Sequence, residues 1–296
     1  MLEVAQFYWY MLGMMAPLLF CVGIGVYWGK RNHPFGGAFA TTLVTSVTTP
    51  ALVFHTFTTT QLDNATLVDI AAGSLLALLV CGLLCAAGLR LAGLPVRKLL
   101  PTAMMPNAGN LGLPISHMAF GDAGLSVAVA FFAISSFVMH TVGVRLVADS
   151  GTNRAWRSPV LLAALAAVGL RALGIPVPAW VIETASMLGA VTVPLMLISL
   201  GHALAIIPSK GLRSGATVAG LRLTLGVASG YVVVLALGLG PALGGALALQ
   251  MAMPCAVVSY MYAQRYTDLG DTAAGAVLVS TVVFLGAAPV LLWLMK

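Results

Sequence analysis

The chain has 296 residues, of which 60% are hydrophobic and only 7% charged, with a mean hydropathy of +1.02. A soluble domain carries about 25% charged residues, so this chain cannot cover a globular surface with charge and reads as an integral membrane protein. Its net charge of +6 is no pointer to nucleic acid, because in a membrane protein the distribution of Lys and Arg between the two sides matters more than their sum.

The first residues, "MLEVAQFYWYM", are acidic and aromatic, without the basic region and small-residue cleavage site of a signal, so no cleavable signal peptide is expected. A helix needs ~20 apolar residues to cross the hydrocarbon core. With charges, Pro/Gly clusters and polar breaks as boundaries, ten spans are predicted in chain order: 8–29, 36–57, 67–92, 98–118, 123–147, 158–174, 179–206, 212–239, 241–263 and 270–295. Barrel strands are excluded because the runs are far too long and show no alternation of period two. The fold class expected is an all-α polytopic membrane protein.

With the N-terminus outside, the odd-numbered loops hold Lys30, Arg31, Arg90, Arg97, Lys98, Arg145, Arg154, Arg157, Lys210, Arg213 and Arg265, eleven of the 14 basic residues. Arg171 and Lys296 fall on the other side, with five of the eight acids: Glu3, Asp63, Asp69, Asp122 and Glu183. The positive-inside rule then places both termini outside the cytoplasm.

An internal repeat organises these spans. "VTTPALVF" at 47–54 resembles "VTVPLMLI" at 191–198, an offset of 144 residues. "AMMPNAGN" at 103–110 resembles "QMAMPCAV" at 250–257 when Pro106 is set on Pro254, an offset of 148. "GDAGLSVAVAFFAIS" at 121–135 resembles "GDTAAGAVLVSTVVF" at 270–284, an offset of 149. Three matches in the same order at nearly equal offsets divide the chain into a first five-helix repeat at 1–148, a short cytoplasmic linker at 149–157 and a second repeat at 158–296. Five is odd, so the second repeat enters the membrane from the opposite side. Inverted repeats of this kind are characteristic of secondary transporters, whose sites lie where discontinuous helices meet near the midplane.

The expected discontinuities are Pro106–Pro114 in span four and Pro254 in span nine. Proline removes a helical hydrogen bond and glycine loosens the backbone. In lipid, such a break is tolerated only inside protein or against a wet cavity. Broken ends present N–H groups with partial positive charge and carbonyls with partial negative charge. Asn107 and Asn110, three apart, each offer two donors and an acceptor; they either cap the broken ends or reach a polar or carboxylate group of a substrate. In the second repeat Cys255 stands where Asn107 stands in the first, and Ser259 and Tyr260 offer hydroxyls. The expected site is therefore asymmetric, amides facing hydroxyls.

"PNAGNLGLP" in span four and "AMPCAVVSYMYAQRYTDLGD" running out of span nine, with "TPALVF" and "VPLMLISLG" in spans two and seven, resemble the auxin efflux carrier family in its bacterial branch, related to plant carriers of PIN type and to malate and malonate permeases. The resemblance covers the whole chain. It implies ten transmembrane helices in two inverted five-helix repeats, helices 1, 2, 6 and 7 forming a scaffold and 3–5 and 8–10 a mobile transport unit. It implies a small organic anion bound where the broken helices 4 and 9 cross and moved by an elevator-like shift. Pro106, Asn107, Gly109, Asn110, Pro254, Cys255, Ser259 and Tyr260 are the expected substrate-binding residues, Asn107 first among them. Plant members carry a proline near the position of Ser259 and many have a long hydrophilic central loop, so auxin itself is a poor guide to the substrate here.

Other polar residues have two readings each. Arg222, nine residues past Arg213 and so ~13 Å deeper at ~1.5 Å per residue, either snorkels to the inner surface, attracts an anionic substrate or pairs within the bundle. His140 is a packing histidine or a proton carrier. Asp122 and Asp271 are expected N-caps. The four cysteines, Cys21, Cys81, Cys85 and Cys255, read as small packing residues with reduced thiols; no metal site or cofactor is expected. No Asp or Glu falls deep inside a predicted span, which weakens a proton-antiport reading. An intramembrane enzyme would need paired aspartates, a Ser–His or Ser–Lys arrangement or HExxH, and none is placed in the spans, so the chain is read as no enzyme. The remaining alternative is an exporter of neutral amino acids or amphipathic compounds through the same crossing. The partners expected are the organic anion and the lipid bilayer, without nucleic acid. The chain could pair as a homodimer, and the expected location is a bacterial inner membrane.

Overall fold

The computed structural model describes residues 2–148, 158–206 and 211–294. The linker at 149–157, with Arg154 and Arg157, and the basic residues Lys210 and Lys296 lie outside the described residues. The described chain is helical, with no strand: α1 (Leu2–Lys30), α2 (Gly37–Thr59), α3 (Asn64–Leu91), α4 (Val96–Met104), α5 (Ala108–Val147), α6 (Pro159–Ala172), α7 (Ala179–Ile206), α8 (Leu212–Leu237), α9 (Pro241–Ala252), α10 (Val257–Tyr266) and α11 (Gly270–Leu294). Among the described residues six helices are long and apolar enough to cross a membrane, namely α2, α3, α5, α7, α8 and α11. Ala16–Lys30, α6 and α9 are shorter apolar helices.

The elements α4 and α10, of nine and ten residues, are too short to cross alone. Each is half of an interrupted pair, α4 leading into α5 and α9 into α10. The first interruption is narrower than the sequence predicts. Only residues 105–107 leave the helix: it resumes at Ala108 with a π-helical turn, Ala108–Gly112, and Pro114 stands just after that turn, inside α5. The predicted boundary between spans four and five is a single residue. At 40 residues α5 would be ~60 Å long if straight, and it is divided instead at Gly121, whose φ of 62° and ψ of −152° lie outside helical space. Only glycine adopts that conformation without strain. Asp122, expected as the cap of the following helix, reaches His117 Nε2 at 3.2 Å instead.

Packing follows the same pairing in both halves. α1 lies along the second half of α7, and α6 lies along the second half of α2. α8 packs on α11, α9 and α3. Arg171, at the end of α6, closes the carbonyl end of α2 by donating to the carbonyls of Phe57, Thr60 and Leu62 at 3.0, 2.7 and 2.6 Å.

Asp63 caps α3, accepting from the Thr66 N–H at 2.6 Å. That hydrogen bond holds the carboxyl below its ordinary value of 3.8. A depressed carboxylate stabilises the fold above its unfolded value and loses the contribution as pH falls through the folded one. The destabilisation caused by Asp63→Ala is therefore expected to be constant from about pH 7 to about pH 5 and to shrink only below about pH 4. Thermal unfolding of both proteins across that range checks it. A mutant penalty that shrinks already between neutrality and pH 5 would count against the cap.

Candidate functional site: a helix crossing and its cavity

The two interruptions meet. Pro106 and Cys255 form an antiparallel bridge: the Asn107 N–H donates to the Pro254 carbonyl at 2.7 Å and the Ala256 N–H to the Met105 carbonyl at 3.0 Å. Proline explains why the pairing is so short. Pro106 and Pro254 have no N–H to extend a ladder, while the flanking extended residues satisfy one another's backbone groups across the crossing. Cys255 is held from behind, its N–H donating to Ser280 Oγ at 3.0 Å. Pro106 and Cys255 are buried, and Asn107 is only 4% exposed.

Beside this bridge lies a cavity of about 850 Å³. One wall is α2 and α7, through Thr45, Thr49, Met196 and Ser199; the other is the crossing and its outgoing helices, through Asn107–Asn110 and Ala256–Val258. At its far end stand Val144, Ser158, Arg265 and Tyr266, at helix ends next to the basic loops. Among the described residues that line it, Arg265 and His140 are the ionisable groups of basic character and none is a carboxylate. Three π-helical turns, Val44–Thr48, Ala108–Gly112 and Met139–Gly143, all contribute to the lining. Such turns leave backbone groups out of the regular ladder and are frequent at functional sites.

The polarity of the inner end is set by backbone direction. Both α5 and α10 start at the crossing, so the first-turn N–H groups, which have no partner within their own helices, carry the positive end of each dipole. Asn107 stands at the start of α5, yet its side chain makes no capping bond. Its Nδ2 is buried and has no hydrogen-bond partner among the described residues. An unpaired buried amide donor costs about 1–3 kcal/mol, a cost that an acceptor entering the cavity would remove.

The model of the family described as "Membrane transport protein" matches residues 10–157 and 144–292. Together these cover nearly the entire chain. The chain belongs to the auxin efflux carrier family of membrane transport proteins. No curated protein matches it significantly.

On this family member the predicted site residues divide in two. Pro106, Asn107, Gly109, Asn110 and His140 line the cavity. Pro254, Cys255, Ser259, Tyr260 and Arg222 do not. The phase of α10 decides which of its side chains meet the cavity. At ~100° per residue, Val257, Val258, Met261, Tyr262 and Arg265 share the wet side, while Ser259 turns away, buried, and donates to the Ala256 carbonyl at 2.6 Å. Tyr260 packs against the apolar core. The wall that α10 provides is thus mainly apolar, with Tyr262 and Tyr266 supplying hydroxyls.

His140 keeps Nδ1 2.7 Å from the Ser136 carbonyl and meets Tyr262 edge-on at 6.1 Å. Arg222 does not snorkel: it is fully buried behind the crossing. Sequence reasoning missed Gln250, buried in the last turn of α9, which donates to Ser116 Oγ at 2.9 Å and leaves Oε1 without a partner among the described residues. A lone glutamine in "LALQMAMP", immediately before the break, was the readable signal.

Proposed function

We propose that this member of the family is a secondary transporter of a small organic anion, a mono- or dicarboxylate, held at the crossing and carried by an elevator-like alternation. The carrying observation is the inner end of the cavity. There a buried amide donor stands at the N-terminus of α5, beside the first turn of α10, and among the described residues it has no partner and the lining holds no carboxylate. A carboxylate is the acceptor that such a donor set favours, since charge-assisted hydrogen bonds are the stronger ones and helix N-termini favour anions. The apolar wall of Phe132, Met139, Met196 and Met261 suits the carbon skeleton.

The elevator reading draws support from the division of the walls. One belongs to α2 and α7, the expected scaffold, and the other to the crossing, the expected transport unit. The matched interruptions and the mirrored packing of α1 on α7 and α6 on α2 favour ten spans in two inverted repeats. With both termini outside a bacterial inner membrane, the end of the cavity at Arg265 would face the cytoplasm.

A thermal-shift panel of carboxylates against neutral amphiphiles of equal size, followed by uptake of the hits into proteoliposomes, tests the proposal. Carboxylates are expected to stabilise the protein and to be taken up. Stabilisation by the neutral amphiphiles alone would overturn the anion reading in favour of neutral export.

A further inference from the structure

Among the described residues Arg222 is the one buried side chain with a permanent charge, and no carboxylate meets it. Its Nη1 donates to the carbonyl of Met104, the last residue of α4, and stands 3.3 Å from Cys81 Sγ. Its Nη2 donates to the carbonyl of Met251, in the last turn of α9. One guanidinium therefore joins the C-terminal ends of both helices that run into the crossing. The space for it comes from Gly226, one turn along α8, where a Cβ would overlap both the guanidinium and the Met251 carbonyl. Cys85 completes the enclosure by donating to the Ala103 carbonyl at 3.3 Å.

A charge this deep in a span costs ~2.5–3.5 kcal/mol on insertion scales and calls for compensation. Each helix C-terminus carries about half a negative charge. Two of them balance one guanidinium without any acidic side chain. We propose that Arg222 is the resident cation of the crossing, a positioning residue that neutralises the two carbonyl ends. The opposite, N–H-bearing side then keeps its positive potential for the anion.

Two consequences follow. The carbonyl ends need no cation from solution. Conversely, removing the guanidinium leaves a pocket of about one unit of negative potential that recruits a small cation. This role rests on the anion reading only for its effect on transport; the cation balance itself does not depend on it.

The test uses Arg222→Met and Arg222→Lys in full-length protein, with guanidinium chloride at ~20 mM compared with the same concentration of sodium chloride. A ligand that binds the folded state raises its stability in proportion to occupancy. Arg222→Met is expected to unfold several degrees lower than wild type, and guanidinium should restore part of the loss while leaving wild type unmoved. Uptake of whichever carboxylate the panel identifies should fall more than about tenfold in Arg222→Met, since misplacing a site by ~1 Å costs that much or more. It should recover partly with guanidinium, and Arg222→Lys, which keeps the charge, should fall in between. A Tm in Arg222→Met that guanidinium does not move, or moves equally in wild type, overturns the resident-cation role, even if no transported anion is found. Should Arg222→Met fail to fold, Arg222→Lys decides. Its folding with an intermediate Tm supports the charge account, and its failure to fold refutes it.

Discussion

Asn107→Asp is expected to abolish carboxylate uptake while leaving the protein at least as stable as wild type. The two effects have opposite signs for one reason. An aspartate at the start of α5 gives the helix a good cap and a favourable charge at its positive end, worth about 0.3–1 kcal/mol. The same charge faces the place where the substrate's carboxylate must sit and replaces a donor by an acceptor. Asn107→Ala only deletes the donor: a hydrogen bond to a charged group is worth about 1.5–3 kcal/mol, or roughly 10- to 150-fold in affinity. The wild-type Nδ2 has no partner to lose among the described residues, and alanine removes the cost of an unpaired buried donor, so Tm should not fall. Proteoliposome uptake and thermal unfolding of the three proteins give the comparison. Equal impairment of Asp and Ala would show that the position acts through its backbone and packing rather than its charge. Wild-type uptake in the Asp variant would remove Asn107 from the site.

The interruptions were legible because proline is unambiguous. Pro106 and Pro254 each delete a hydrogen bond from a helix interior, and the offset of 148 residues between their similar surroundings is visible without coordinates. The bridge between Met105–Asn107 and Pro254–Ala256 realises that reading directly. The rotation of α10 was not legible. The eight residues before Arg265 carry no charge and give no strong polar face, so its phase is set by the backbone at Ala256, with its extended φ of −66° and ψ of 131°. A turn of that helix by one residue would exchange Ser259 for Val258 at the wall.

Of the three readings of Arg222, the structure matches the one that pairs it within the bundle, and its partners were illegible for a different reason. The cost of a buried charge argued for the nearest water, whereas the better solution was two helix ends 118 and 29 residues away. Partners so distant leave no local pattern. The Gly121 division of α5 was half legible. "GDAG" marked a boundary, but whether the chain would stop there or fold back on one torsion depends on what packs against it.

These particulars share one arrangement. The four half-helix ends at the crossing are sorted by sign: carbonyl ends toward the guanidinium of Arg222, N–H ends toward the cavity. Neither a buried carboxylate nor a bound cation is needed to hold that separation. It also explains why the sequence can be poor in intramembrane charge and still build a polar site.

The seam between α1 and α7 is a place where a single methyl group should damage the fold. A Cβ on Gly201 would lie 2.8 Å from the Val22 carbonyl carbon and 3.0 Å from the Val26 nitrogen. A Cβ on Gly25 would lie 2.7 Å from the His202 nitrogen and 2.9 Å from the Ile198 carbonyl carbon. These are backbone atoms, which cannot swing aside as a side-chain end can, so the helices must separate. Small residues at such seams are what let membrane helices approach closely, and overpacking typically costs about 1–3 kcal/mol. Gly201→Ala and Gly25→Ala should each lower Tm by several degrees in detergent, the usual scale for such a loss. Together they should cost less than their sum, by about 0.5 kcal/mol or more, because separation forced by one methyl makes room for the other. Full additivity would mean that the two glycines relieve separate contacts. α7 also carries Met196 and Ser199 of the cavity wall, while the crossing is built elsewhere. The variants are therefore expected to keep the ligand-induced thermal shift and, on the proposed elevator reading, to lose uptake. Loss of the shift itself would place the seam's influence at the binding step.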